Sequence, residues 1–536
     1  MQGVERADRK LLDAAALVGH LVPEGSMFWF LATHRGQVFP DQEFADLFPS
    51  GRGRPSLPAP VAAAVLTLQT LYDLSDAETA EAARCDLRWK VATGMALDDK
   101  GFHPSTLTYW RQRLARSERP HRINDAVKQV VEETGILAGG RRRAVDSTIV
   151  EDAVATQDTV TQLVAAIRRV GREVPGAAAQ IAAVCTGHDF SAPGKPRIDW
   201  DDPQAKEALV SALVNDAKAL VAALDDATLD ERAQAAVALL ALVAGQDVEP
   251  AKGSDGTDGR WRIARKVAPD RVISTVDPDA RHTRKSSESR RDGYRAHVAA
   301  EPETGIITDE ELTKAAGAEN SDPAVAERFL AAETTQATPG SQDATTDDDR
   351  ALEWYGDSAY GTGELRDAIA GAGHVAVLKP KPLQPAVAGG FTVDDFTVDR
   401  QAGTVGCPGG HTRPVSTSGV ATFGALCRTC PLRQRCTACK TGRKVVLHEH
   451  DALLRQARRD WADDPGLRER YRRHRPNVER VISQLASRGG RRLRLRYLGV
   501  AANNAWLKRR TAALNLRNLI GRGLTCHGGT WVLATT

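Results

Sequence analysis

Two short apolar runs that read as strands each carry one carboxylate. Asp146 stands inside Ala-Val-Asp-Ser-Thr-Ile-Val (144–150), and Asp357 ends Leu352-Glu-Trp-Tyr-Gly-Asp357. A charge in an apolar strand faces a cavity, because burying an unpaired carboxylate is expensive. A third acid, Glu479, lies in Arg475-Pro-Asn-Val-Glu-Arg-Val-Ile-Ser-Gln-Leu485. Pro476 suits the first position of a helix, which predicts Glu479 in the first turn with Ile482 on the same side. Two Asp and one Glu are hard oxygen ligands that leave room for substrate oxygens and water. Attack of water or a 3′-hydroxyl on a phosphodiester needs charge neutralised on the entering and leaving oxygens. Two Mg²⁺ (or Mn²⁺) ions about 3.5–4 Å apart supply that. Taken singly, each acid is equally a strand-end cap or a surface charge.

A second set of ligand types is separate. Five of the eight cysteines fall within Cys407–Cys439, as Cys427-x2-Cys430-x5-Cys436-x2-Cys439 with Cys407 upstream. Cys-x2-Cys knuckles wrap Zn²⁺ tetrahedrally, and a cytosolic setting argues against disulfides. The short gap between knuckles leaves Cys407, Cys427, Cys430 and Cys436 as good a set as the four closest cysteines. Cys439 and His411 are alternates; an iron–sulfur cluster and free thiols are the competing readings. Cys85, Cys185 and Cys526 stand alone.

The net charge of +3 hides an asymmetry: Arg455–Arg522 holds 19 Lys and Arg against 5 Asp and Glu, +14, and the remainder sums to −11. A basic block on an acidic chain points to a polyanion. Arg488, Arg491, Arg492, Arg494 and Arg496 alternate beside the glutamate segment, where they can hold phosphates, and Lys508, Arg509 and Arg510 are expected on the same surface. A merely solvated helix face is the plain alternative. Some of the acid sits at Asp199–Glu207 and Asp343–Asp349.

These residues need elements to position them. Residues 1–140 read as a helical domain for DNA binding or dimerisation. Its signals are an apolar stripe at Pro60–Tyr72, a capping-box spacing at Ser75 and Glu78, and a helix from Ser105 bearing Arg111 and Arg113. Residues 141–520 read as an α/β domain with a mixed sheet. It holds a hairpin at Tyr294–Thr313, a helix from Ser321, the Asp357 strand, a helix at Gly363–Gly371 and a strand at His374–Leu378. An Ala-rich helical insert at about 155–255, with Leu209, Leu213, Ala217, Leu220 and Leu224 at helical spacing, and a Cys-rich insert at about 385–450 interrupt it. The stretch Ala337–Asp349 is polar and expected to be mobile, and 521–536 reads as a loose tail. The longest apolar runs, Ala235–Ala244 and Val61–Leu66, fall short of a membrane span. The charged opening MQGVERADRK lacks the apolar core of a signal peptide, so a cytoplasmic location is expected.

The chain resembles the DDE transposases of bacterial insertion sequences. Gly53-Arg-Pro-Ser, Leu74-Ser-Asp76, Asp86-Leu-Arg-Trp89 and Phe102-His-Pro-Ser-Thr106 through Arg111-Gln-Arg-Leu114 look like that group's helical N-terminal domain. Ala144-Val-Asp-Ser-Thr148 is similar to its first catalytic strand. His282-Thr-Arg-Lys285, Gly293-Tyr-Arg-Ala-His297 and Gly305-Ile-Ile-Thr308 resemble the following strands. Tyr355-Gly-Asp-Ser-Ala-Tyr-Gly361 and Arg475-Pro-Asn-Val-Glu479 resemble the motifs of the second and third acids.

The resemblance implies an RNase H-like catalytic domain with Asp146, Asp357 and Glu479 as metal ligands and Arg475 as a DNA contact. It further implies double-stranded DNA partners (inverted-repeat ends and target), a homodimer or larger assembly on DNA, and a bacterial, nucleoid-associated protein. A cysteine cluster recurs in a subgroup of these transposases. The third motif departs from the wider pattern. A Tyr is expected three residues before the Arg, but Tyr471 is four before it, and Ala486 stands where a Lys would follow, leaving Arg488 or Arg491 as stand-ins. The competing functions are an RNase H-like nuclease without strand transfer and a catalytically inactive, transposase-derived zinc DNA-binding protein. A scaffold built on the Ala-rich helices would leave the strand acids unexplained.

Overall fold

The computed structural model describes residues 1–4, 12–50, 52–224, 228–266, 268–284, 290–336 and 351–534. The polar stretch Ala337–Asp349, with the acids of Asp343–Asp349, lies outside them, as does Lys285. Four of the first helices are α1 (Met27–Val38), α2 (Ala59–Tyr72), α3 (Ser105–Arg116) and α4 (Arg122–Glu133). Every residue of α2 from Ala59 to Leu71 is buried. A helix apolar on all sides is stable only when neighbours cover it on all sides. The expected capping box is present on the helix Asp76–Cys85: Ser75 accepts from the Glu78 amide at 3.2 Å and its own amide donates to the Glu78 carboxylate at 2.7 Å.

Strand β1 (Arg142–Glu151) opens the sheet. The chain then leaves it for α5 (Thr159–Glu173), α6 (Pro203–Ala223) and α7 (Glu231–Gln246). The five residues at helical spacing from Leu209 to Leu224 are all buried there, in a core of the insert's own. The sheet resumes with β2 (Arg281–Arg284), β3 (Arg290–Ala300) and β4 (Ile307–Lys314). After α8 (Asp322–Gln336) come β5 (Glu353–Gly356), α9 (Gly363–Gly371) and β6 (Val375–Leu378). β3 pairs antiparallel with β1 on one edge and with β2 and β4 on the other, while β1, β5 and β6 run parallel. The expected mixed α/β sheet is the one observed. Gly293 marks where β3 crosses closest to β1: at φ +148° its missing Cβ would lie 2.2 Å from the Val150 carbonyl oxygen.

One face of the sheet packs on α8 and α9 through Val145, Ala299, Trp354 and Leu378. Residues 391–447 form small two- and three-stranded sheets around Phe396, Val405, Phe423 and Val445. Then follow α10 (Asp451–Asp463), α11 (Pro465–Ala486) and α12 (Val500–Gly521). α11 and α12 cover the other face.

Two expectations are corrected. Pro476 does not begin a helix but lies inside α11, which starts at Pro465 with Asp464 capping the Gly466 and Leu467 amides at 2.7 and 3.1 Å. An internal Pro costs about 3 kcal/mol, and the stripe His474, Arg475, Val478, Val481 and Leu485 that α11 buries outweighs it. The segment after Gly521 is not a loose tail: Thr525–His527 and Thr530–Val532 pair as a hairpin about Gly528 and Gly529. Its Trp531 is buried against Phe30 at 5.8 Å and His34 at 5.6 Å.

Candidate active site

β1 and β5 are parallel neighbours from Arg142↔Glu353 to Ala144↔Tyr355. β5 ends at Gly356, so the same register carried two residues further sets Asp146 level with Asp357. Asp146 is mostly buried, and its Oδ1 accepts from the Ser147 amide at 2.8 Å. Asp357 is half-exposed at the strand's end, with Oδ1 accepting from the Ala359 amide at 2.8 Å. Carboxyl ends of adjacent parallel strands are where α/β sheets present polar groups to ligands.

The third acid arrives on α11, one turn beyond Arg475. The buried Arg475 guanidinium lies between all three: Nη2 is 3.1 Å from Asp146 Oδ2 and 4.0 Å from Asp357 Oδ2, and Nη1 is 3.6 Å from Glu479 Oε1. Carboxylates 211 and 122 residues apart in sequence therefore converge on one cation. Burial pushes the Asp146 carboxyl above its usual range and the Asp357 charge adds to that, while Arg475 pulls it back. Nε and Nη1 of Arg475 are buried without a hydrogen-bond acceptor, although a guanidinium carries five N–H donors.

Asp146 and Asp357 line a cleft of about 290 Å³ that also holds Asp322, Arg295 and Tyr360. Asp322, in the first turn of α8, accepts from Arg295 Nη1 at 3.1 Å. Reading the sequence missed this fourth acid, because an Asp before Pro at a helix start looks like an ordinary end signal. Tyr471 sits one turn before Arg475, its ring against Trp461 at 5.1 Å, and its hydroxyl pKa is raised chiefly by burial.

The cysteines divide. Cys407, Cys427, Cys430 and Cys436 line one small enclosed cavity with His411, and the Arg443 amide donates to Cys427 Sγ at 3.4 Å. The Cys436 thiol is pushed up, mainly by burial. Cys439 is exposed, its sulfur 3.1 Å from the Thr441 hydroxyl. Among the described residues, no three His, Cys, Asp or Glu side chains stand close enough to hold a metal ion.

The basic residues divide too. Arg491 and Arg492 are exposed on a two-strand turn with Ser487–Arg488, and Arg494 is exposed 3.8 Å from Glu151. Arg488 lies over the Tyr72 ring at 4.6 Å, and Arg496 donates to the Asp73 carbonyl at 3.1 Å. The surface expected at 508–510 does not form. Arg510 is buried, donating to the Thr70, Leu71 and Gln484 carbonyls at 2.7, 2.9 and 2.7 Å. Arg509 is buried as well, and Lys508 binds Glu310 at 3.1 Å. Arg111 is held by Asp76 at 2.5 Å, and Arg113 by the Leu47 carbonyl at 2.7 Å.

Among the described residues, no helix is long and apolar enough to cross a membrane. No curated protein and no solved structure matches the chain. Two family models do: a transposase DDE domain over residues 407–520, which includes Arg475 and Glu479, and a transposase domain, DUF772, over residues 18–113. Asp146 and Asp357 lie outside both segments. Each match covers only part of the chain, and together they support a DDE transposase of an insertion sequence.

Proposed function

We propose that this protein is a DDE transposase that cleaves its element's DNA ends and transfers the strands to a target, with Asp146, Asp357 and Glu479 as the catalytic acids of an RNase H-like domain spanning residues 141–520. The convergence of the three carboxylates on Arg475 carries this reading. The donor set is all hard oxygen, which suits Mg²⁺ or Mn²⁺; bound there, two such ions neutralise the entering and leaving oxygens of the phosphodiester. The Ser147 and Ala359 amides orient Asp146 and Asp357. Arg475 holds the acids together by charge, and its Nε and Nη1, which lack an acceptor, would donate to a phosphate oxygen brought against them. Arg488, Arg491, Arg492, Arg494 and Arg496 grip flanking phosphates, contacts that position DNA without reading its sequence. Pairing two ends requires at least a dimer.

For a structural Zn²⁺ we propose Cys407, Cys427, Cys430 and Cys436, which line one cavity but would have to draw closer together to ligate it, and not Cys439, which is exposed outside that cavity. The catalytic assignment is tested with Asp357→Asn on a plasmid carrying the element's ends in Mg²⁺. Cleavage should fall below detection, and a near wild-type rate would exclude the assignment. Wild-type cleavage with no joined product would favour a simple nuclease.

A further inference from the structure

The cleft at the carboxylates does not end there. A second cavity of about 240 Å³ adjoins it, and Thr148, Ile149 and Arg291 line both. The second cavity continues past Ser483 and Ala486 of α11 to Arg492. Its floor is β1, whose edge toward α11 loses its strand partner after Ala144 and, among the described residues, pairs again at the Glu151↔Arg494 bridge. β3 walls one side and α11 the other. The cations at this place differ in what they already bind. Arg475 is held by three acids, and Arg295 by Asp322. Arg291 is half-buried where the cavities join, and its side chain makes no hydrogen bond or ion pair with any described residue. A half-buried guanidinium without an acceptor is open to an anionic ligand, and a phosphate takes two of its N–H groups at once.

Resting on the reading of Asp146, Asp357 and Glu479 as DNA-cleaving acids, we propose that this groove is a subsite for the sugar–phosphate backbone of one DNA strand. Arg291 clamps a phosphate beside the one attacked, and Arg492 takes one further along. A strand seated there leaves the acids along the open edge of β1. Arg291 is thus a positioning residue that fixes where the strand lies against the carboxylates.

The test is binding by the full-length protein of two fluorescein-labelled duplexes, one blunt and one with a single-stranded overhang, across a range of salt. All proteins carry Asp357→Asn so that no cleavage intervenes. Arg291→Ala should weaken binding of the overhang duplex about tenfold and reduce the slope of log K against log salt by about one. Arg291→Lys should keep the slope, and the blunt duplex should bind nearly unchanged. Unaltered affinity and slope for Arg291→Ala would overturn the subsite, and so would an equal loss on both duplexes. Equal losses for the Ala and Lys variants with a lowered melting temperature would also overturn it, as damage to the fold. Plasmid cleavage by the Asp357→Asn protein would instead overturn the catalytic reading alone.

Discussion

Burial acts on two acids of one strand, Asp146 in its middle and Asp152 just past its end, with opposite uses. At Asp146 the carboxyl is raised chiefly by desolvation and lowered by Arg475. Replacing the cation, as in Arg475→Gln, leaves the burial and removes the compensation, so the Asp146 pKa rises further. If cleavage needs Asp146 ionised, the acidic limb of the rate–pH profile moves to higher pH in that variant. An unmoved limb would separate Arg475 from the ionisation of Asp146. At Asp152, just past β1, burial and the nearby Asp277 and Asp292 charges push the carboxyl up to about 6, and its Oδ2 has no hydrogen-bond partner. A folded-state value above the unfolded one, about 3.9, means the folded chain binds more protons between them. Stability therefore falls as pH rises from about 4 to 6, by up to about 3 kcal/mol. Asp152→Asn should raise the melting temperature at pH near 7 and leave it unchanged near pH 4. Thermal melts at the two pH values check it, and an equal shift at both would refute the charge as cause.

Elements decide which motif residues can act together. The Arg475–Glu479 pair was legible because one helical turn separates them in any helix containing both, so misplacing the start of α11 did not disturb it. Pro465 behind Asp464 is a start signal of the same kind as Pro476, and only the buried stripe shows which one begins the helix. The strand positions of Asp146 and Asp357 were legible from short apolar runs, β-branched at Asp146 and aromatic at Asp357, but their shared level comes from the parallel β1–β5 register, which no local pattern states. Asp322 and Arg291 were not legible, since their meaning lies in the cleft they line. In the cysteine lobe the sequence left the ligand set open, and the fold separates Cys439 from the other four. Cys436→Ser should lower bound zinc and make residues 391–447 sensitive to limited proteolysis, whereas Cys439→Ser should change neither. Mass spectrometry of the metal content reads the difference, and full zinc in Cys436→Ser would exclude the assigned set.

At the scale of the molecule, the run Lys508-Arg509-Arg510 misled because a charged triplet is ordinarily solvated. Here α12 is buried along most of its length, and Arg510 closes the last carbonyls of α2 and of α11 at once. Carbonyls at helix C-termini have no intrahelical donor, and a cation there also meets the negative end of the helix dipole. The same region makes one continuous core of Leu66, Leu68, Trp89 and Val127 from the N-terminal helices with Leu507, Leu514, Leu516 and Trp531 from the chain's end. Each such side chain contributes about 1.5–3 kcal/mol when fully buried. A fragment ending at residue 140 would keep α1 to α4 but lose what covers them, including the Trp531 packed on Phe30. That fragment alone should show helical far-ultraviolet dichroism with weak near-ultraviolet signal and a broad, non-cooperative melt. In the full-length protein, Arg510→Ala leaves four carbonyls, of Thr70, Leu71, Gln484 and Ser487, without that donor and should lower the melting temperature clearly. A sharp melt by the isolated 1–140 segment would show that it has a sufficient core of its own, and the C-terminal helix would then be an addition to that unit and not part of what folds it.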